Sequence, residues 1–266
     1  MIRQTVDSYY VRSATSCRNP RPPNRRALRA IVRTVTVEDS GYVRWRPPGR
    51  RLYGSRRWLV YARSSTIAAQ PSSIDDGLAY LRNEVMPNLP ELEGWVGLSL
   101  MVDRSTGRCI ATTAWESEDA LHASSRRVQP LREGLAQALH GPVEKVEDWE
   151  VAVMHRDHLA GANACTRCTW VQVDPSGIDQ AIDTFKSQLM PEFEKLEGFR
   201  SASLFVDRAT GRGVGSTVWA SREELDSSRE HADRIRSMAT RVTGARILDV
   251  AEFRLGFAHL RVPEMV

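Results

Sequence analysis

From residue 60 onward the chain alternates between two apolar periods, and the whole pattern then occurs a second time. Between Val60 and Ala69, β-branched and polar side chains alternate, the period of a half-buried strand. Ile74, Leu78, Leu81 and Val85 follow at steps of 4, 3 and 4, which places them on one helical face. Ser72-Ser73-Ile74-Asp75 offers an N-cap serine to that helix, and Pro87 is expected to bend or end it. Gly94–Asp103 and Arg108–Glu116 read as two strands joined by the Asp103–Arg108 turn, where Gly107 is free to take positive φ. Ser117 caps a second helix with Leu121, Val128, Leu131, Leu135 and Ala138 on one side, and Val143–Met154 is a last strand.

The same order returns at a constant offset of 104 without a gap, so that residues 74–150 lie over 178–254. Met86-Pro87 falls on Met190-Pro191, Leu92-Glu93-Gly94 on Leu196-Glu197-Gly198, and Trp115 on Trp219. In the second copy the helical face is Ile178, Ile182, Phe185 and Leu189, Ser221-Arg222-Glu223-Glu224 forms a capping box, and the last strand is Ile247–Phe257. Each copy therefore reads β-α-β-β-α-β, the split ferredoxin-like unit of an α+β protein. Its helices cover one sheet face. The other face, with Leu98, Leu100 and Val102 offered as its apolar residues, needs a partner. Two copies in one chain meet that need by packing sheet to sheet about a pseudo-two-fold axis.

The expected organisation is an Arg/Pro-rich head at 1–57, a first repeat at 58–155, a linker at 156–163 and a second repeat at 164–266. Charge divides the same way. Residues 1–57 hold 14 Arg against 3 acidic residues, a surplus of +11, whereas residues 58–266 hold 23 basic and 30 acidic residues, a balance of −7. The head is read as disordered, either a polybasic arm or an extension without a fold, and its lack of Lys favours the extension. The acidic remainder argues against a nucleic-acid partner. No run of apolar residues reaches spanning length, which argues against a membrane partner. Ser55-Arg56-Arg57-Trp58-Leu59-Val60 has the look of a twin-arginine signal, but Arg63 interrupts the apolar run that should follow. With four scattered Cys, a cytoplasmic protein without disulfides is expected.

Tyr61-Ala62-Arg63, Met86-Pro87, Leu92-Glu93-Gly94-Trp95, the Asp103–Arg108 hairpin and Trp115-Glu116-Ser117-Glu118-Asp119-Ala120-Leu121 together resemble antibiotic biosynthesis monooxygenase-like domains, of the dimeric α+β barrel superfamily. The second copy carries Leu196-Glu197-Gly198-Phe199 and Val218-Trp219-Ala220-Ser221, so the resemblance covers both repeats, about residues 60–260. It implies an intramolecular version of that barrel. It also implies a small apolar or aromatic ligand held between sheet and helices and, for an enzyme, oxygenation by O2 without a cofactor. Haem degraders of the family use a Trp-plus-His pair on the second helix. Ser124 and Gly134, then Ser228 and Met238, stand at those places here, which removes that chemistry.

Candidate site residues follow. His122, on the second helix, is the candidate general base, because imidazole titrates near neutral pH. Trp115, Trp170 and Trp219 are candidate walls of an aromatic pocket, against the alternative of core packing. Arg63 and Arg167 align on the first strand of each repeat, and each needs a carboxylate such as Glu147 or Glu252, or a ligand anion. His155, His158, Cys165 and Cys168 make an H-x-x-H…C-x-x-C series. Residues three apart on a strand face opposite ways, so no metal site is expected there. The pseudo-dimer could pair further as a homodimer, and a non-catalytic binding or stress-response protein on the same scaffold is the alternative function.

Overall fold

The computed structural model describes residues 59–266, so the expectation for the head at 1–57 lies outside the described residues. The elements are β1 (Val60–Ala68), α1 (Ile74–Tyr80), α2 (Met86–Asn88), β2 (Trp95–Val102), β3 (Arg108–Trp115), α3 (Glu118–Ala138) and β4 (Val143–Arg156). The second set is β5 (Cys165–Gln172), α4 (Ile178–Thr184), α5 (Met190–Glu194), β6 (Phe199–Asp207), β7 (Arg212–Trp219), α6 (Arg222–Ser227), α7 (Arg229–Thr243) and β8 (Arg246–Leu260).

All eight strands are antiparallel and close into one barrel in the order β1-β3-β2-β8-β5-β7-β6-β4. Closure is the work of the two longest strands. The first part of β4 pairs with β1 and its end, Glu150–Arg156, pairs with β6 of the other repeat. β8 does the reverse, pairing with β5 and then, from Arg254 to Leu260, with β2. The two exchanges are equivalent under the offset of 104, and neither repeat keeps a free sheet edge.

Sheet-to-sheet packing thus takes the form of a barrel interior filled by Trp149, Trp170, Phe253, Val60, Ile110 and Cys168. Leu98, Leu100 and Val102 do not contribute to it. They face the helices with Leu121 and Leu135, while Met101 turns inward. A register shift between Trp95 and Gly97 sets this alternation, and no periodicity reveals a bulge.

Pro87 and Pro191 do not end their helices. Proline lacks an N–H and its ring collides with the carbonyl four residues back. In both repeats the preceding turn, Leu81–Val85 and Phe185–Leu189, widens to a π-turn and the helix runs on. The expected cap at Ser72-Ser73 is replaced by a short 3-10 turn over Pro71–Ser73, and Ser73 makes no side-chain cap bond. Ser117 does cap α3, accepting from Ala120 N at 3.1 Å. Ser221 accepts from Glu223 N, but its hydroxyl donates to the Glu224 carboxylate, so the box is only half formed. The helix expected to follow is broken at Ser228, whose hydroxyl bonds back to Leu225 O at 2.7 Å. Gly107 sits at φ 80° as expected, and a side chain there would strike Ala69 O.

Candidate functional site

Apolar cores lie between sheet and helices in both repeats, and the second contains a cavity. A cavity of about 110 Å³ lies between β5, β6, β7 and the helical layer α4–α7. Phe185, Leu189 and Phe193 form one wall, Leu204, Gly215 and Thr217 the sheet floor, and Ala232, Ile235, Ala239 and Thr243 the other helical wall. Ala245 and Ile247 stand at the rim, and Ile247 is 39% exposed, so the cavity opens where α7 ends and β8 begins.

The offset of 104 explains the space. In the first repeat the places of Thr184, Ala232, Ala239 and Thr243 are held by Tyr80, Val128, Leu135 and Leu139. Leu139 is fully buried, with its side chain reaching the place where a Cβ on Gly77 would be, and Tyr80 lies over Gly134 in the same way. The four smaller side chains are partly offset by Phe185 and Phe193 where the first repeat has Leu81 and Leu89, and by Ala181 and Met238 where it has Gly77 and Gly134. Close packing is the norm of protein interiors, so a void that arises at matched positions marks where the two copies have diverged.

Charge enters the cavity at one place. Arg167 is 3% exposed, and burial lowers its pKa while Glu252 raises it. Its Nε and Nη2 donate to Glu252 at 3.0 and 2.9 Å, Nη1 to Ser228 Oγ at 2.9 Å and Nη2 to Leu225 O at 2.8 Å. Arg236 lines the cavity beside it and pairs with Asp233 one helical turn away. In the first repeat the same two places hold Arg63 and Arg132. Arg63 binds Asp148 at 2.6 and 2.7 Å and Ser125 at 2.8 Å. Its partner is Asp148, directly across the strand pair, and not Glu147, which bonds Lys145 and Arg212 instead. A one-residue step along β4 exchanges the two faces.

The structure separates the residues singled out from sequence. Arg167 alone lines the cavity. Trp219 stands behind the floor, fully buried, with Nε1 donating to Thr217 Oγ1 at 3.1 Å. Trp115 repeats that arrangement with Thr113, also at 3.1 Å, in the filled core. Trp170 points into the barrel, edge-on to Phe253 and beneath the Arg108 guanidinium at 4.5 Å. His122 lies on the outer face of α3, well exposed, with Glu118 at 3.6 Å. Cys165 belongs to the helix-side core and Cys168 to the barrel interior, so the two thiols face opposite ways.

One set of cavity residues escapes a motif search, and one histidine of the H-x-x-H series acquires a different setting. Arg236 and the small residues Thr184, Ala239 and Thr243 belong to no pattern. The only signal for them is the change in side-chain size along the aligned repeats. A matched pair of histidines also emerges. His259 stacks on Trp95 at 5.5 Å, and His155, its counterpart, on Phe199 at 6.4 Å, each reaching across into the opposite repeat.

Fold and site together define two tandem ferredoxin-like repeats closed into one eight-stranded α+β barrel, with a cavity in the helix-side core of the second. No family model matches the chain. It is 47% identical over 209 residues to the uncharacterised protein Rv2557 of Mycobacterium tuberculosis (strain ATCC 25618 / H37Rv), covering 79% of this chain and 93% of that protein. The uncharacterised protein Rv2558 of the same organism is also 47% identical, over 78% of this chain and 88% of its own length. The chain belongs to the family of these two proteins. Among solved structures it resembles an anthrone oxidase-like protein, with a TM-score of 0.56 at 15% identity over 79% of this chain and 95% of that one. A monooxygenase candidate from Lactobacillus acidophilus NCFM gives 0.53 at 10% identity, over 76% and 96%. At such identities the likeness is one of fold. Among the described residues no helix is long and apolar enough to cross a membrane.

Proposed function

We propose that the protein binds a small, largely apolar molecule in the helix-side cavity of its second repeat. The observation that carries this reading is the replacement of Tyr80, Val128, Leu135 and Leu139 by Thr184, Ala232, Ala239 and Thr243 around one space. An apolar void of about 150 Å³ is known to stay dry and to take up benzene. One of about 110 Å³ suits a single ring or a short alkyl chain. The scaffold's likeness to monooxygenase candidates supports a small-molecule role.

Binding, and not turnover, is the form of that role favoured here. Oxygenation by way of a substrate carbanion needs a base within hydrogen-bond reach. Among the described residues the cavity lining contains hydroxyls and two guanidiniums but no imidazole or carboxylate, and His122 stands outside it.

The test is calorimetric titration of the full chain with indole, alongside Ala239→Leu. Saturable binding that the substitution abolishes supports the reading. No binding to the wild type, or equal binding to both proteins, refutes it.

A further inference from the structure

Resting on that cavity, we infer that its ligand is an acid: an apolar body of ring size carrying a carboxylate that meets Arg236 and Arg167. Among the described residues, the ionisable groups that line the cavity are the two guanidiniums, with no acidic side chain beside them. A cationic ligand would meet two guanidiniums on the wall, whereas an anion gains charge-assisted hydrogen bonds from the planar fork of Arg236, with Arg167 fixed beside it.

The two arginines are not equally committed. All three nitrogens of Arg167 are engaged with Glu252, Ser228 and Leu225 O, which holds it rigid. Arg236 is 19% exposed in its side chain, and the ion pair it makes is with Asp233, which is 66% exposed. Exposed pairs of this kind contribute little, so Arg236 can turn to a ligand at small cost.

Room for the acid group exists on the outer side. A groove of about 720 Å³ shares Arg167 and Arg236 with the cavity and continues past Arg108, Arg222 and Arg229. Of the four acids along it, Asp233 is held by Arg236, Glu144 also lines the groove, and the other two are taken up elsewhere. Glu252 binds Arg167, Arg222 and Arg229, while Asp103 accepts from Ser105 and Thr106 within its own turn. An apolar chamber and a polar groove thus share two arginines as a common wall, a layout that suits an amphipathic acid. The first repeat retains Arg63 and Arg132 without the space, so the arginines alone do not make the site.

The experiment compares 3-phenylpropionate, 3-phenylpropanol and 3-phenylpropylamine by titration into the full chain, with indole as a charge-free reference. The acid is expected to bind at least tenfold more tightly than the alcohol, and the amine more weakly than either. Arg236→Met should weaken the acid far more than the alcohol, bringing the two together, and raising salt should weaken the acid alone. Equal binding of acid and alcohol to the wild type overturns the inference while leaving the cavity reading intact, as does indole binding without any of the three. If indole also fails to bind, the cavity reading falls, and this inference with it.

Discussion

Replacing Ala239 with leucine gives the second repeat the side chain that the first carries at the same place, Leu135. The change should stabilise the protein. Three added carbons at about 0.8 kcal/mol per buried methylene supply about 2.4 kcal/mol. Cavity filling gives an independent figure: at about 24 cal/mol per Å³, a void of about 110 Å³ corresponds to about 2.6 kcal/mol. Ordering a leucine side chain takes back about 0.5–1 kcal/mol, which leaves a net gain of roughly 1.5–2 kcal/mol. For a unit of this size such a gain raises Tm by roughly 3–8 °C. Differential scanning calorimetry of the full chain measures it, and the mirror substitution Leu135→Ala, in the filled repeat, should cost about 2–5 kcal/mol. Saturating indole should raise the wild-type Tm but leave that of Ala239→Leu unchanged, because ligand stabilises only a native state that binds it. A fall in Tm for Ala239→Leu would refute the reasoning, since it would mean that the space is not there to be filled.

Three further outcomes follow from groups described above. Glu252→Ala leaves the buried Arg167 without its carboxylate and should cost about 3–5 kcal/mol in chemical denaturation, whereas Asp148→Ala, opposite the more exposed Arg63, should cost less. Burial and then Arg261 lower the pKa of His259 below its ordinary 6.5, so the unfolded chain takes up the proton first. Stability should therefore be lost as pH falls through about 6.5, and His259→Phe should flatten that limb of a stability–pH curve. Burial pushes the Cys109 and Cys168 thiols up to about 11, so both should resist alkylation at pH 8 in the folded protein. The stability they contribute as neutral thiols is complete below about 9 and is lost as pH rises towards 11; rapid labelling of either in the native state would contradict their burial.

Much of the fold was legible because it was written twice. Trp115 over Trp219, and the two Glu-Gly turns before β2 and β6, identify a duplicated unit whatever each residue does. Periodicity then finds the strands and the packing faces of α1 and α3. What it cannot see is local exception: the π-turns before Pro87 and Pro191, the bulge after Trp95 that turns Leu98 towards the helices, and the break at Ser228 all depend on tertiary contacts. The candidate site was harder still. His122 and the tryptophans attract attention by residue type, yet Trp115 and Trp219 reach full burial, Trp170 enters the barrel and His122 faces solvent. The cavity is made by small residues, which carry no chemical signature. Only comparison of Leu135 with Ala239, or Leu139 with Thr243, betrays it, and such a comparison of sizes has meaning once the two positions are known to occupy the same place.

The exchange of β4 and β8 between repeats has a consequence for how such a protein can change. In a barrel assembled from two identical chains, every substitution is made twice, so hollowing one core hollows both and doubles the penalty. Joining the copies in one polypeptide breaks that coupling. Here one half carries leucines and a tyrosine, while the other carries smaller residues at the same places and yet is held by hydrogen bonds along two strands of its neighbour. The dense half acts as ballast for the hollow half, and the open chamber is free to be reshaped for a ligand without the whole barrel having to bear each alteration in duplicate.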